Sequence, residues 1–427
     1  LRRQRQMCIR DSICHAPQGL PDPAPAAAGA DALEARLTRI RQAGFDAVLI
    51  PAPWLLPAGA HSLAPVDADL SAIGSRTEPI TDRLSRLSQA TAAQDLKLMV
   101  RLRFDRVSVD AGAGTAPPGW YRAHPEDPAR DPRMPVSDRG LMPLQDHPPA
   151  GFAARWAARL SGWADAGVSG FLFDAPQCLP AHTWQELLAT LRQHAPPPAC
   201  LAWTPGLNPQ QLDALRDAGF DGVFSSLPWW DYKSAWLAEE AARLERVAPV
   251  LASVSPLDAV KAGPARTDPR SAWAAAFTAC GWVADEADID PPGPAEDINH
   301  WLGAQPLPTG PPHVLAGRDG RATLVLREAA EGATAILALN PAAAAPAQLD
   351  WDAVASSLPA GDILPHREGD ARALDADALP PAGCAVMSVT PMPPVRESSR
   401  HPGPRTEGGA GLRIAIESVS PAVCLLY

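Results

Sequence analysis

Gly167-Val-Ser-Gly-Phe-Leu-Phe-Asp-Ala-Pro176 is a short apolar run that ends on a carboxylate, Asp174, and breaks at once at a turn-forming proline. An Asp at the tip of a buried strand sits where a parallel barrel gathers its chemistry, at the C-terminal ends of its strands. The same Asp could equally serve as a helix cap or turn residue. The next strand-like run, Ala199-Cys-Leu-Ala-Trp203, ends on an indole, and Val250 to Val254 leads into Ser255-Pro-Leu-Asp258. Two carboxylates and one aromatic therefore fall at three strand ends.

Working outward, helix-period and strand-period segments alternate. Leu33, Leu37 and Ile40 share one face of a helix over 31–42, and Phe45 to Pro51 follows as a strand. A helix near 79–93 precedes a strand at 96–102, and a helix over about 149–166 precedes the strand that ends at Asp174. Four more helix and strand pairs follow: 182–194 with 199–203, 209–217 with 220–225, 232–247 with 250–254, and 270–279 with 281–284. Ala-Gly joints recur at Gly44, Gly167 and Gly219, each placed to close a helix in the left-handed conformation before a strand enters. Seven strands after helices, with room for a degraded first strand, predict an α/β fold: a (β/α)8 TIM-type barrel. A doubly wound sheet competes, but would often bring a phosphate-binding glycine fingerprint, which is absent.

After about Pro306 the period changes to short strands at 322–326, 333–339 and 385–389, which predicts a small C-terminal antiparallel β domain. The expected division is a disordered or artefactual lead-in over 1–29, the barrel over 30–305, the β domain over 306–391 and a disordered tail over 392–427. Leu1 to Ser12 is basic but lacks the apolar core of a secretory signal and reads as a gene-model scar, with the first strand at risk of loss with the natural start.

Composition narrows the function. At 427 residues and 46% hydrophobic, the chain can bury one large core and a smaller one. A net charge of −11 from dispersed acids gives no support for a nucleic-acid partner or an anionic membrane. No run of about 18 apolar residues is present to span a bilayer. A soluble, cytoplasmic protein is expected. Seven single cysteines form no Cys-x-x-Cys pair, the histidines stand alone, and no nucleotide loop occurs, so neither metal nor cofactor is expected.

Five stretches taken together resemble the alpha-amylase superfamily (glycoside hydrolase family thirteen), in particular its maltosyltransferases that extend α-1,4-glucans from maltose 1-phosphate. They are Ala43 to Pro53, Pro117 to Pro125, the segment around Asp174 to Pro176, Ala218 to Lys233, and Ser253 to Asp258. The resemblance runs from about Leu37 to Leu302 and implies retaining glycosyl transfer, with Asp174 as nucleophile and Asp258 as the carboxylate that orients the sugar. Such a transfer needs a second carboxyl group about 5–5.5 Å from the nucleophile. Where the family has its acid/base Glu this chain has Trp203, which can do neither half of that proton work. The family's Arg two residues before the nucleophile is Leu172, so a charge that would hold Asp174 ionised is expected to be lost. The family's third-strand Asp falls at Arg101 or Arg103.

Thirteen tryptophans against three tyrosines suit stacking on sugar faces, although core packing accounts for most indoles. Trp229 and Trp230 are the stacking candidates, and Trp203 lies at the same mouth. Lys233 could meet a phosphate or be a solvated lysine at a helix start. His61 and His124 could meet sugar hydroxyls or do nothing specific. Two functions stay open: a maltosyltransferase-like enzyme with impaired chemistry, acting on an α-glucan or maltose 1-phosphate, and a glucan-binding scaffold. Either could be a homodimer or pair with an active relative. Asp105 or Asp231 supplying a carboxylate would favour the enzyme.

Overall fold

A computed structural model describes residues 12–17, 20, 27–51, 80–104, 106–108, 141–143, 148, 150–257, 268–286, 289, 294–304, 311–317, 320–328, 334–350, 365–367, 378–391 and 412–417. Strands β1 (Ser12–His15), β2 (Ala47–Pro51), β3 (Lys97–Arg103), β6 (Gly170–Asp174), β7 (Ala199–Ala202), β8 (Gly222–Phe224), β9 (Val250–Ser253) and β10 (Gly281–Asp285) close a parallel barrel. Helices α1 (Ala27–Gln42), α2 (Ile80–Ala92), α3 (Phe152–Asp165), α4 (Ala181–Leu191), α5 (Pro209–Leu215), α6 (Trp236–Leu244), α7 (Pro269–Thr278) and α8 (Pro294–Ala304) alternate with these strands. A two-stranded ribbon, β4 (Arg106–Ser108) with β5 (Leu141–Pro143), lies between β3 and α3 in sequence. The fold is the eight-stranded TIM-type barrel that the βα repeat predicted.

The strands are apolar on both faces because both faces are covered. Ile13, Leu49, Met99, Leu172, Leu201, Phe224, Leu251 and Val283 fill the interior. The alternate residues, such as Cys14, Val48, Val100, Phe173, Ala252 and Trp282, pack outward against the helices. Gly167 shows why the joints are glycine: its φ is +97°, and a Cβ there would stand 2.2 Å from Ser88 Oγ.

The C-terminal sheet has the order β11 (His313–Leu315), β12 (Thr323–Glu328), β13 (Thr334–Leu339), β17 (Cys384–Pro391), β18 (Leu412–Glu417), β15 (Pro365–Arg367). All its pairings are antiparallel except β15 with β18, and a small pair, β14 (Ala347–Gln348) with β16 (Ala378–Leu379), flanks it. Helix α7 sits between barrel and sheet and is buried from Ala272 to Thr278. Two arginines lock this junction through backbone oxygens. Arg327 Nη1 donates to the carbonyls of Phe277 and Ala279 at the end of α7, and Arg270 at its start donates to the carbonyl of Asn340. These carbonyls are among the ones a helix end or strand end cannot satisfy internally.

Two expected boundaries shift. Ser12–His15 lies inside the expected lead-in yet is the first barrel strand, paired on both sides with β10 and β2. Ser-Ile-Cys-His mixes polar and apolar residues and offers no apolar run to read as a strand. Leu412–Glu417, within the expected disordered tail, is a strand held by ladder bonds to β17. Among the described residues, no helix is long and apolar enough to cross a membrane.

Candidate functional site at the barrel mouth

One layer above the apolar interior, towards the strands' C-terminal ends, the inward positions change character. His15, Arg101, Asp174, Trp203, Ser253 and Asp285 follow the parity of the core residues two positions before them. Asp174 is 5% exposed at the end of β6, and Arg101 is 2% exposed on the neighbouring β3. Arg101 Nε donates to Asp174 Oδ1 at 3.0 Å, and its Nη1 donates to the Leu257 carbonyl at 2.9 Å. The guanidinium lies 6.0 Å from the centre of the Trp203 ring, which packs on Phe224 with centroids 5.1 Å apart. A charge-assisted bond in a water-poor site holds both groups strongly, because neither can turn to solvent instead.

This pair corrects one expectation. Leu172 is indeed apolar and fills the barrel interior, but Asp174 does not lack a cation. Arg101 reaches it from the adjacent strand. Strand pairing places Arg103 opposite Asp174, so Arg101 stands two residues further back and its long side chain spans the offset.

A second polar group occupies the seam where the barrel closes. His15 and Asp285 are register partners on β1 and β10, and His15 Nδ1 lies 2.6 Å from Asp285 Oδ1. Ser255 Oγ donates to Asp285 Oδ2 at 3.0 Å, and Ser253 Oγ donates to the Ser255 carbonyl at 2.6 Å. The next residue, Glu286, points to the other side and binds Arg36 and Arg39 of α1, so the strand end is fixed from both faces. The sequence reading did not single out this cluster. Its signal was present: Gly281-Trp-Val-Ala-Asp285 repeats the form of Gly170-Phe-Leu-Phe-Asp174.

The remaining candidates separate. Trp229, on the loop after β8, is 55% exposed, the only exposed large hydrophobic side chain among the described residues. Trp230 is buried, with its ring 5.5 Å from Tyr232 and its Nε1 donating to the Ser234 carbonyl at 2.8 Å, so it supports the loop and does not face solvent. Lys233 is exposed. Asp231 is exposed and spends its carboxylate on the amides of Lys233 and Ser234 and the hydroxyl of Ser234. Slight burial raises its proton affinity, but these hydrogen bonds outweigh it and hold the carboxyl below its usual range. It is a turn-forming residue and supplies no carboxylate to the mouth. Asp258, His61, His124, Asp105, Trp54 and Trp120 lie outside the described residues. No group of three or more metal-ligating side chains occurs among the described residues.

No family model matches the chain. In sequence it is 31% identical to the alpha-1,4-glucan:maltose-1-phosphate maltosyltransferase of Burkholderia pseudomallei (strain K96243), across 90% of this chain. It spans 39% of that relative's length. Among solved structures it resembles the alpha-amylase of Geobacillus thermoleovorans complexed with acarbose, with a TM-score of 0.61 over 88% of this chain and 98% of that one, at 14% identity. The chain thus has the fold of the α-amylases and resembles a maltosyltransferase in sequence. A cyclic alpha-maltosyl-(1→6)-maltose hydrolase from Arthrobacter globiformis matches equally well, with a TM-score of 0.61 over 89% of this chain and 98% of that one, at 14% identity. The alpha-glucosyl transfer enzyme XgtA gives 0.59, over 88% of this chain and 98% of that one, at 17% identity. At such identities the structural likenesses speak for the fold alone.

Proposed function

We propose that this chain is a maltosyltransferase-like α-glucan domain whose sugar-transfer chemistry is impaired at its proton-transfer step. The observation that carries the reading is the Asp174, Arg101 and Trp203 group: a buried, cation-paired carboxylate at one strand end and an indole at the next. In a retaining transfer, the Asp174 carboxylate would bond to C1 of the donor sugar as the C1–O bond breaks. The leaving oxygen takes the electron pair, and an acceptor hydroxyl later opens the sugar ester. A phosphate departs with little proton help, so the first half can survive without a general acid. The second half needs a base for the acceptor's proton, and an indole N–H is a donor only. Asp258 is assigned the role of orienting the sugar, and Trp229 that of stacking on a glucan outside the mouth.

The relative's length argues for treating this as one domain's contribution, because the chain corresponds to about two fifths of that protein. A second reading is supported by the guanidinium beside the Trp203 ring, which places two bulky groups in the mouth: a glucan-binding domain with no turnover, paired with an active partner. The deciding experiment measures phosphate release from maltose 1-phosphate, with and without glycogen, for the chain and for Asp174→Ala. Because the second half then limits turnover, steady-state release about 10² to 10⁴ times slower than from an enzyme with the catalytic base, and abolished by Asp174→Ala, is the expected result. No release with glucan still bound establishes the second reading. Neither release nor glucan binding overturns both.

A further inference from the structure

The seam of the barrel carries a histidine whose chemistry the reading above does not use. His15 is 2% exposed, projects inward above Ile13, and turns Nδ1 to Asp285. Asp285 has its other oxygen engaged by Ser255. In a neutral imidazole, a carboxylate that accepts from Nδ1–H fixes both the ring orientation and the tautomer, and leaves Nε2, on the far side of the ring, with its lone pair outward as an acceptor. Among the described residues, no hydrogen-bond partner stands at Nε2. Three strand-end residues from β1, β10 and the turn after β9 thus combine to aim one nitrogen lone pair from the wall of the mouth.

We propose that His15 Nε2 is a ligand-contacting atom that accepts a hydrogen bond from a saccharide hydroxyl, with Asp285 and Ser255 as its positioning residues. The proposal rests on the α-glucan reading and adds a second contact wall to the one formed by Asp174 and Trp203. A hydroxyl suits the site because it can donate to the fixed acceptor, whereas a phosphate dianion would meet a lone pair. A carboxylate-oriented histidine is also the second-shell pattern of a metal ligand. Here, however, no group of three or more metal-ligating side chains stands with it among the described residues.

The test uses the whole chain with maltoheptaose as probe. The imidazole nitrogen resonances of His15 report its tautomer directly in the unmodified protein, so the result does not depend on a variant folding. Expected are an Nδ1-protonated tautomer, a shift of the Nε2 resonance on adding maltoheptaose, and about tenfold weaker binding in His15→Phe, the scale of one lost hydrogen bond. Asp285→Asn, which can present an amide N–H to Nδ1 and reverse the tautomer, should weaken binding similarly while the ring stays in place. Binding by the unmodified chain with an unmoved Nε2 resonance and undiminished affinity in His15→Phe overturns the proposal and leaves the glucan reading standing. An Nε2 shift that needs added zinc, not sugar, also overturns it. No binding by the unmodified chain defeats the glucan reading itself, and this proposal with it.

Discussion

Asp174 and Asp285 end two strands of one barrel on nearly the same local sequence, and both are almost fully buried at the same height, yet they are paired with different partners. Asp174 faces a guanidinium from the next strand, and Asp285 faces an imidazole. A guanidinium keeps its charge at every accessible pH, so Asp174 has a fixed counter-ion. An imidazole can hold a carboxylate through one oriented N–H, so Asp285 has a directional donor and not a fixed counter-ion. The strand pattern decides where a carboxylate goes; the neighbouring strand decides what that carboxylate can do. The difference between the two pairs makes one side of the mouth an ion-paired carboxylate and the other an oriented acceptor nitrogen.

The largest expected effect breaks the first pair. Arg101→Leu leaves the Asp174 carboxylate buried without its guanidinium and should cost about 3–5 kcal/mol of unfolding free energy in urea. Adding Asp174→Leu should restore most of that loss, because an apolar pair of similar volume suits a dry site. A loss below about 1 kcal/mol for Arg101→Leu would show that the charge of Asp174 is balanced elsewhere, and the contrast between the pairs would fall. His15→Phe should cost less, about 1–3 kcal/mol, because Asp285 keeps its Ser255 bond and only one hydrogen bond to a ring is lost. If the two costs prove equal at neutral pH, the imidazole is behaving as a full cation and the two sides of the mouth are alike.

Much of this was legible in the sequence, and the limits have physical causes. The seven later strands were readable because each is an apolar run that follows a helix with its own period, as at 170–174 for a strand and 80–92 for a helix. Strand β1 was not, since Ser-Ile-Cys-His has no period of its own and is a strand only because β2 and β10 pair with it. Asp174 and Trp203 were found as strand ends. Arg101 was recognised only as a misplaced residue, because its role depends on the β3 to β6 register, which sequence spacing does not reveal. His15 and Asp285 are 270 residues apart and meet solely because the barrel closes.

A third carboxylate extends the comparison to a group that lacks a strong cation. Glu240 of α6 accepts the Ser226 amide at 2.8 Å and so anchors the loop after β8 that carries Trp229. Burial raises its pKa above the ordinary value of 4.5, and the Ser226 hydroxyl and amide and the charge of Arg243 only partly offset this. A carboxyl with a raised native pKa binds its proton more tightly folded than unfolded. Its contribution to stability is therefore present at low pH and is lost as the pH rises from about 4.5 through the raised value. Glu240→Gln retains an oxygen for the Ser226 amide and removes the charge. It should match the parent near pH 4 and exceed it by less than ~1 kcal/mol at pH 7, measured by urea unfolding at both pH values. A Glu240→Gln variant that is instead destabilised at pH 7 would mean that Arg243 acts on this carboxylate as Arg101 does on Asp174, and the series from guanidinium to imidazole to uncompensated acid would lose its last member.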